Sequence, residues 1–191
     1  MPLEIEAKFR VESHDPVREA LRTAAARRLG VVREWNIILD AADASLQAKG
    51  CGLRIRSTRP EKATERSGEH KATLTFKGPR QSGEFKSREE LEVEVSDAEQ
   101  TRVLLARLGF VPVLQYEKRR ESWQLEDCRV ELDEPAKIGR FVEIEGPGER
   151  SVQRARERLG LGDTTVTQAS YVQMLIEYCE REGIGDRTLG L

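Results

Sequence analysis

The sequence predicts an α+β fold in which about eight antiparallel strands form a closed or nearly closed β-barrel, with helices packed on its outside. Short segments along the whole chain alternate apolar and polar residues with period two, which is typical of strands with two unlike faces. The polar positions of these segments carry charges of both signs. Several segments with helical periodicity are available to cover the apolar faces. Because a sheet of this length tends to curl or close, the charged faces are expected to line a tunnel.

The first predicted strand shows the pattern most clearly. Residues 4–11 read EIEAKFRV, so that Glu4, Glu6, Lys8 and Arg10 share one face and apolar residues occupy the other. The remaining predicted strands cover residues 31–40, 53–56, 71–77, 88–95, 114–124, 128–133 and 140–145.

Helix start and stop signals lie between and after these strands. Pro16 in the first turn and Gly30 at the end delimit the first helix. Ser96 and Glu99 form a predicted capping box at the start of the second. The predicted helices cover residues 15–29, 96–109, 151–159 and 168–182.

These elements are expected to form a single domain over residues 1–182. Residues 57–70 are charged and contain Pro60 and Gly68, so they are expected to form a mobile loop. Residues 183–191 are expected to be a loose tail.

Composition excludes several classes of function. Lys and Arg number 32 against 34 Asp and Glu, a net charge of −2, and aromatic residues are only 5%, which disfavours a nucleic-acid binder. No apolar run is long enough for a membrane helix, so no membrane partner is expected. Three scattered cysteines without a CxxC pattern favour a reducing cytoplasm over a disulfide framework or zinc site. The sequence leaves the oligomeric state open, a homodimer included.

The two-signed charge pattern indicates a particular kind of ligand. A plain sheet with one charged face in water explains any single strand, and that alternative stays open. A tunnel, however, would bury many Lys and Arg side chains among carboxylates, and such charges need partners. A polyphosphate with Mg²⁺ or Mn²⁺ suits both signs, because basic groups bind phosphate oxygens and carboxylates bind hard cations. Glutamates two apart on a strand, such as Glu4 with Glu6 and Glu143 with Glu145, reach the same side.

The ordered motifs resemble the CYTH family, also called triphosphate tunnel metalloenzymes, over about residues 3–176. Glu4-x-Glu6-x-Lys8 is similar to the family's ExExK signature. The other matching segments are Asn36 to Asp43 with Leu46, Gly52 and Leu53-Arg54-Ile55-Arg56, then Thr75-Phe76-Lys77-Gly78-Pro79, Arg88-Glu89-Glu90-Leu91-Glu92, Lys118-x-Arg120, Asp133-Glu134, Gly139, Phe141-Val142-Glu143-Ile144-Glu145 and Ser170-Tyr171-x-x-Met174-Leu175.

The resemblance implies roles that agree with the face pattern. Basic residues would bind the triphosphate: Lys8, Arg54, Arg56, Lys77, Arg88, Lys118 and Arg120. Acidic residues would hold one or two Mg²⁺ or Mn²⁺ ions: Glu4, Glu6, Glu90, Glu92, Asp133, Glu143 and Glu145. Glu4 and Lys8 are the candidates for a direct part in catalysis.

The resemblance implies an enzyme that acts on inorganic triphosphate, ATP or thiamine triphosphate. Hydrolysis of a triphosphate is favoured, because binding a bare triphosphate requires fewer additional features than a cyclase, which also needs a pocket for adenine. The first alternative is a class IV adenylyl cyclase that converts ATP to cyclic AMP and pyrophosphate. The second is a non-catalytic module that binds polyphosphate or nucleotides.

Overall fold

The computed structural model describes residues 4–61, 71–79 and 86–191, without the side chains of Glu4, Lys86 and Ser87. Most of the predicted loop 57–70 therefore lies outside the described residues. The strands are β1 (Glu4–Val11), β2 (Arg27–Ala41), β3 (Gly52–Pro60), β4 (Lys71–Lys77), β5 (Lys86–Arg88), β6 (Glu90–Val95), β7 (Phe110–Leu125), β8 (Cys128–Pro135), β9 (Arg140–Gly146) and β10 (Thr188–Leu189). The helices are α1 (Asp15–Thr23), α2 (Ser45–Ala48), α3 (Ala98–Arg107), α4 (Glu149–Arg158) and α5 (Tyr171–Glu182).

The strands form one sheet, which confirms the α+β class. Its order is β5-β1-β9-β8-β7-β2-β3-β4-β6, with every pair on this path antiparallel, and β10 adds in parallel to β7. Among the described residues, the end strands β5 and β6 share no hydrogen-bonded ladder, so a closed barrel is not confirmed. The two ends are nevertheless adjacent in the chain, since only Glu89 separates them. The predicted strand 88–95 thus divides between β1 on one side and β4 on the other.

Two apolar clusters cover the outer face of the sheet. The larger one packs α1 and α4 against β1, β7, β8 and β9, with Phe9, Leu21, Val142 and Val152 fully or almost fully buried. The second packs Leu105 of α3 against the outer side chains of β2 and β3. These helices lie outside the sheet, as expected.

Helix α5 is different, and the prediction that the helices pack outside is wrong for it. Its Tyr171 and Leu175 pack against Leu114, Tyr116 and Phe141. Phe141 shares a strand face with Glu143, and Tyr116 shares one with Lys118, so α5 lies on the charged side of the sheet. Apolar residues on that face give the helix a surface to pack on.

Three predicted features of the helices and the C-terminal segment differ in the structure. Helix α1 ends at Thr23, not near Leu29, because residues from Arg27 onward pair with β7. The capping box predicted at Ser96 is wrong: Asp97 is the cap, and its side chain accepts from the Gln100 backbone N–H. The segment expected to be a loose tail packs on the sheet, since β10 pairs with β7 and Leu189 is buried.

No helix in the described part of the chain combines the length and the apolar character needed to cross a membrane. The three cysteines are free thiols.

His14 makes stability depend on pH. Its ring is buried at the start of α1, with Nε2 2.9 Å from the Phe141 carbonyl oxygen, and burial lowers its pKa below 6.5. His14 therefore binds a proton more readily in the unfolded chain than in the folded one. The contribution of neutral His14 to the free energy of unfolding is complete above about pH 6.5 and is lost as the pH falls below that value. We expect the free energy of unfolding in urea to fall less between pH 7 and pH 5 in His14→Gln than in the wild type. An equal fall in the free energy of unfolding in the two proteins would contradict this role of His14.

Candidate functional site

The charged face gathers the predicted site residues whose side chains are described. Register pairs that share this face include Glu6 with Glu145, Lys8 with Glu143, Arg120 with Asp133, Arg54 with Thr75, and Lys77 with Glu90. They come from seven of the strands, so the sheet concentrates charges that are up to 139 positions apart in sequence. The side chain of Glu4 lies outside the described residues.

Asp133 is the centre of a buried ion-pair network. The carboxylate is 0% exposed and accepts from Arg120 at 2.7 Å (Nε to Oδ1) and 2.6 Å (Nη2 to Oδ2). The Nζ of Lys118 donates to Oδ2 at 3.0 Å, and the hydroxyl of Tyr171 donates to the same oxygen at 3.1 Å. In this structure Asp133 therefore neutralises two of the cations predicted to bind phosphate.

Glu143 extends the network to β1. Its carboxylate accepts from Arg120 Nη2 at 2.7 Å, and its other oxygen lies 3.3 Å from Lys8 Nζ. The same ammonium group lies 3.7 Å from the centroid of the Tyr171 ring, which favours a cation there. Lys8, a predicted catalytic and binding residue, is thus held between a carboxylate and an aromatic face.

Glu34 is a site residue that sequence reasoning missed. It is buried on β2, 3.1 Å from Arg56 Nη1 and 3.2 Å from Lys118 Nζ. Burial by itself raises the pKa of the Glu34 carboxyl, but the surrounding cations outweigh burial and hold that pKa well below its usual range. Asn36 lies two residues further on the same face and is also buried. Their i, i+2 spacing was the available signal, but Trp35 and the apolar run after it hid the alternation.

A second group, the cationic cluster, consists of Arg54, Lys77 and Arg88. Burial, then repulsion from Arg54 and Arg88, lowers the pKa of the Lys77 ammonium to about 8. Burial and then Arg56 lower the pKa of the Arg54 guanidinium to about 10. Glu90 is ion-paired with Lys77 and accepts from Arg88 Nε at 3.3 Å. The Glu90 carboxylate raises the pKa of Lys77, but by less than burial and the two neighbouring guanidinium groups lower it.

Glu92, a predicted metal ligand, lies at the edge of the cationic cluster. Its carboxylate accepts from the Thr75 hydroxyl at 2.7 Å and lies 3.8 Å from Arg54 Nη2. Half of its side chain is exposed. The structure therefore places Glu90 and Glu92 beside predicted phosphate-binding residues.

Glu6 and Glu145 are direct cross-strand partners on β1 and β9. Like charges directly opposite one another are unfavourable in a sheet, and a cation between them removes the repulsion. Across the described residues, no three His, Cys, Asp or Glu side chains come close enough together to hold a metal ion. The predicted metal ligands whose side chains the structure describes thus lie on one face, but they are not assembled as a ready-made site.

Comparisons with known proteins agree with this architecture. The CYTH domain model matches residues 2–171. A protein of Methanocaldococcus jannaschii, provisionally named an adenylate cyclase, is 27% identical over 143 residues, which are 75% of this chain and 76% of that protein. A solved structure from Pyrococcus horikoshii OT3 is similar with a TM-score of 0.77 at 28% identity, over 92% of this chain and 99% of that one.

A further solved structure, from Hippeastrum, is provisionally described as an adenylyl cyclase that reveals a dominant triphosphatase activity. It has a TM-score of 0.68 at 20% identity over 94% of this chain and 96% of that one, and at this identity it supports the fold alone. The family model, by contrast, spans most of the chain in sequence. The protein therefore belongs to the CYTH domain family.

Proposed function

We propose that the protein hydrolyses a triphosphate with the help of a divalent metal ion. The cationic cluster is the observation that carries this proposal. Lys77 and Arg88 pair with the same oxygen of Glu90, and burial, then repulsion from Arg54 and Arg88, lowers the pKa of Lys77 to about 8. Such mutual repulsion is relieved by a multiply charged anion, and a chain of phosphates can reach several of these groups at once.

The carboxylates of the charged face suit a hard divalent cation. Glu6 and Glu145 would hold it, with Glu4 as a third oxygen ligand from the same end of β1. A bound Mg²⁺ or Mn²⁺ would neutralise charge on the phosphates and polarise a phosphoryl oxygen. Glu90, Glu92, Asp133 and Glu143, the other predicted ligands, contact basic or hydroxyl groups in this structure. They would have to exchange those partners in order to bind metal.

The basic residues would orient the substrate. Arg54, Lys77 and Arg88 would bind one part of the phosphate chain, and Lys8, Arg56, Lys118 and Arg120 the remainder. Because Lys118 and Arg120 are already held by Asp133, they are fixed in position before substrate arrives. Such preorganisation favours phosphoryl transfer, which depends on positioning and charge neutralisation.

The cyclase remains the second candidate, favoured by the name of the Methanocaldococcus jannaschii relative. Both reactions can use the same residues to bind a triphosphate, and they differ in which phosphorus atom the nucleophile attacks.

One assay separates these reactions. The purified full chain is incubated with Mg²⁺ or Mn²⁺ and either inorganic triphosphate or ATP, and orthophosphate, pyrophosphate and cyclic AMP are measured together. Orthophosphate from inorganic triphosphate without cyclic AMP from ATP supports the proposal. Cyclic AMP with pyrophosphate supports the cyclase, and binding without turnover supports a non-catalytic module.

Arg54 should be required for tight substrate binding. Its guanidinium is nearly buried in the cationic cluster, so Arg54→Ala is expected to raise the KM for inorganic triphosphate by about tenfold or more. The control is Arg22→Ala on the exposed side of α1. Unchanged KM and kcat in Arg54→Ala would place this residue outside the substrate site.

A further inference from the structure

Asn36 presents a buried donor to the charged face. The residue is 0% exposed, and its Oδ1 accepts from Arg56 Nε at 2.9 Å. Because a guanidinium only donates, this contact fixes the amide orientation and directs Nδ2 away from Arg56. Nδ2 has no hydrogen-bond partner in the described part of the chain. An unpaired buried donor is uncommon in a folded protein and calls for an acceptor.

Two more unpaired polar atoms lie on neighbouring strands. They are the Nε–H of Arg54 and the hydroxyl of Thr73, both buried and without a partner among residues 4–61, 71–79 and 86–191. Asn36 is the register partner of Arg56, which is in turn the partner of Thr73. Arg54 lies two residues from Arg56 on the same face of β3. The three atoms therefore belong to one patch across β2, β3 and β4.

We propose that Asn36 and Thr73, together with the Nε–H of Arg54, form a donor subsite that binds a phosphoryl oxygen of the substrate. This inference rests on the proposed function and adds two uncharged residues to the predicted binding set. Two of the three groups, the amide and the guanidinium, can only donate from these atoms, so they recognise an acceptor. The hydroxyl of Thr73 can rotate to donate as well. Such a patch suits a phosphoryl oxygen that is not shielded by metal.

Two substitutions test the subsite. Asn36→Asp keeps the shape and the acceptor for Arg56 but replaces the free donor with an anionic oxygen. Thr73→Val keeps the shape and removes the hydroxyl from a half-buried position. The control is Ser57→Ala, which removes a hydroxyl from the opposite face of β3.

Binding of inorganic triphosphate to the full chain is measured by calorimetry without added metal, and folding by thermal denaturation. We expect Asn36→Asp to weaken binding by about tenfold or more, and Thr73→Val by about threefold to tenfold. Ser57→Ala should bind like the wild type. If Asn36→Asp does not fold, Thr73→Val alone decides.

The outcomes separate this inference from the function on which it rests. Folded variants that bind within twofold of the wild type would overturn the subsite and leave the proposed function intact. The unpaired atoms would then serve the fold or an internal water. A wild type that neither binds nor hydrolyses inorganic triphosphate would overturn both.

Discussion

Replacing Glu6 or Glu145 with Gln is expected to lower metal-dependent turnover by at least about a hundredfold. The two residues face each other across β1 and β9, next to the pair formed by Lys8 and Glu143. Glutamine preserves the size of the side chain but is a much weaker ligand for Mg²⁺ or Mn²⁺. Because glutamine has the same size and shape as glutamate, we expect the fold to survive either substitution.

The measurement is the rate of inorganic triphosphate hydrolysis as a function of Mn²⁺ concentration. A lost ligand should shift the metal dependence to higher concentrations. Glu19→Gln, on the exposed face of α1, is the matched control and should behave like the wild type. Full activity in both Glu6→Gln and Glu145→Gln would disprove this metal assignment.

The second large effect concerns the stability of the protein. Asp133→Ala is expected to cost about 2–4 kcal/mol, because Arg120 and Lys118 lose the buried carboxylate that they share, although Glu143 and Glu34 still pair with them. For a chain of this size the melting temperature should fall by roughly 4–16 °C. The Tyr171 hydroxyl loses an acceptor at the same time.

Thermal unfolding without metal measures this effect, and Asp15→Ala is the control. Asp15 is exposed and pairs with Arg18 on the surface, so its removal should cost about 1 kcal/mol or less. The result bears on the role of Asp133. A variant as stable as the wild type would show that Asp133 serves a ligand and not the fold.

Strands with clean alternation could be predicted from the sequence. The segments 4–11 and 71–77 have the same bounds in the structure, because every second side chain is buried or faces the charged side. Family membership, inferred from the order of the charged motifs, is confirmed. The charged positions of these alternating strands could therefore be assigned from the sequence, whereas Glu34 and Asn36 on β2 could not.

Other features depend on tertiary contacts that no local pattern encodes. The Ala- and Arg-rich run after Thr23 favours a helix, but Ala25 adopts a left-handed conformation with φ of 53° and the chain enters β2. Glu34 was missed because Trp35 and the apolar run after it obscure the alternation, and because its partners Arg56 and Lys118 come from two other strands. The place of α5 was missed since its apolar face fits either side of a sheet equally well.

The position of β1 in the sheet also determines when it can be built. Its two neighbours are β5 and β9, so its hydrogen bonds join residues 4–11 to residues 86–88 and 140–146. While the chain is being synthesised, β2 and β3 can pair as soon as residue 60 has left the ribosome. Although β1 is synthesised first, it can pair only after its partner strands β5 and β9 have been synthesised. Contacts this distant in sequence slow folding, and we expect closure of this end of the sheet to be a late folding event.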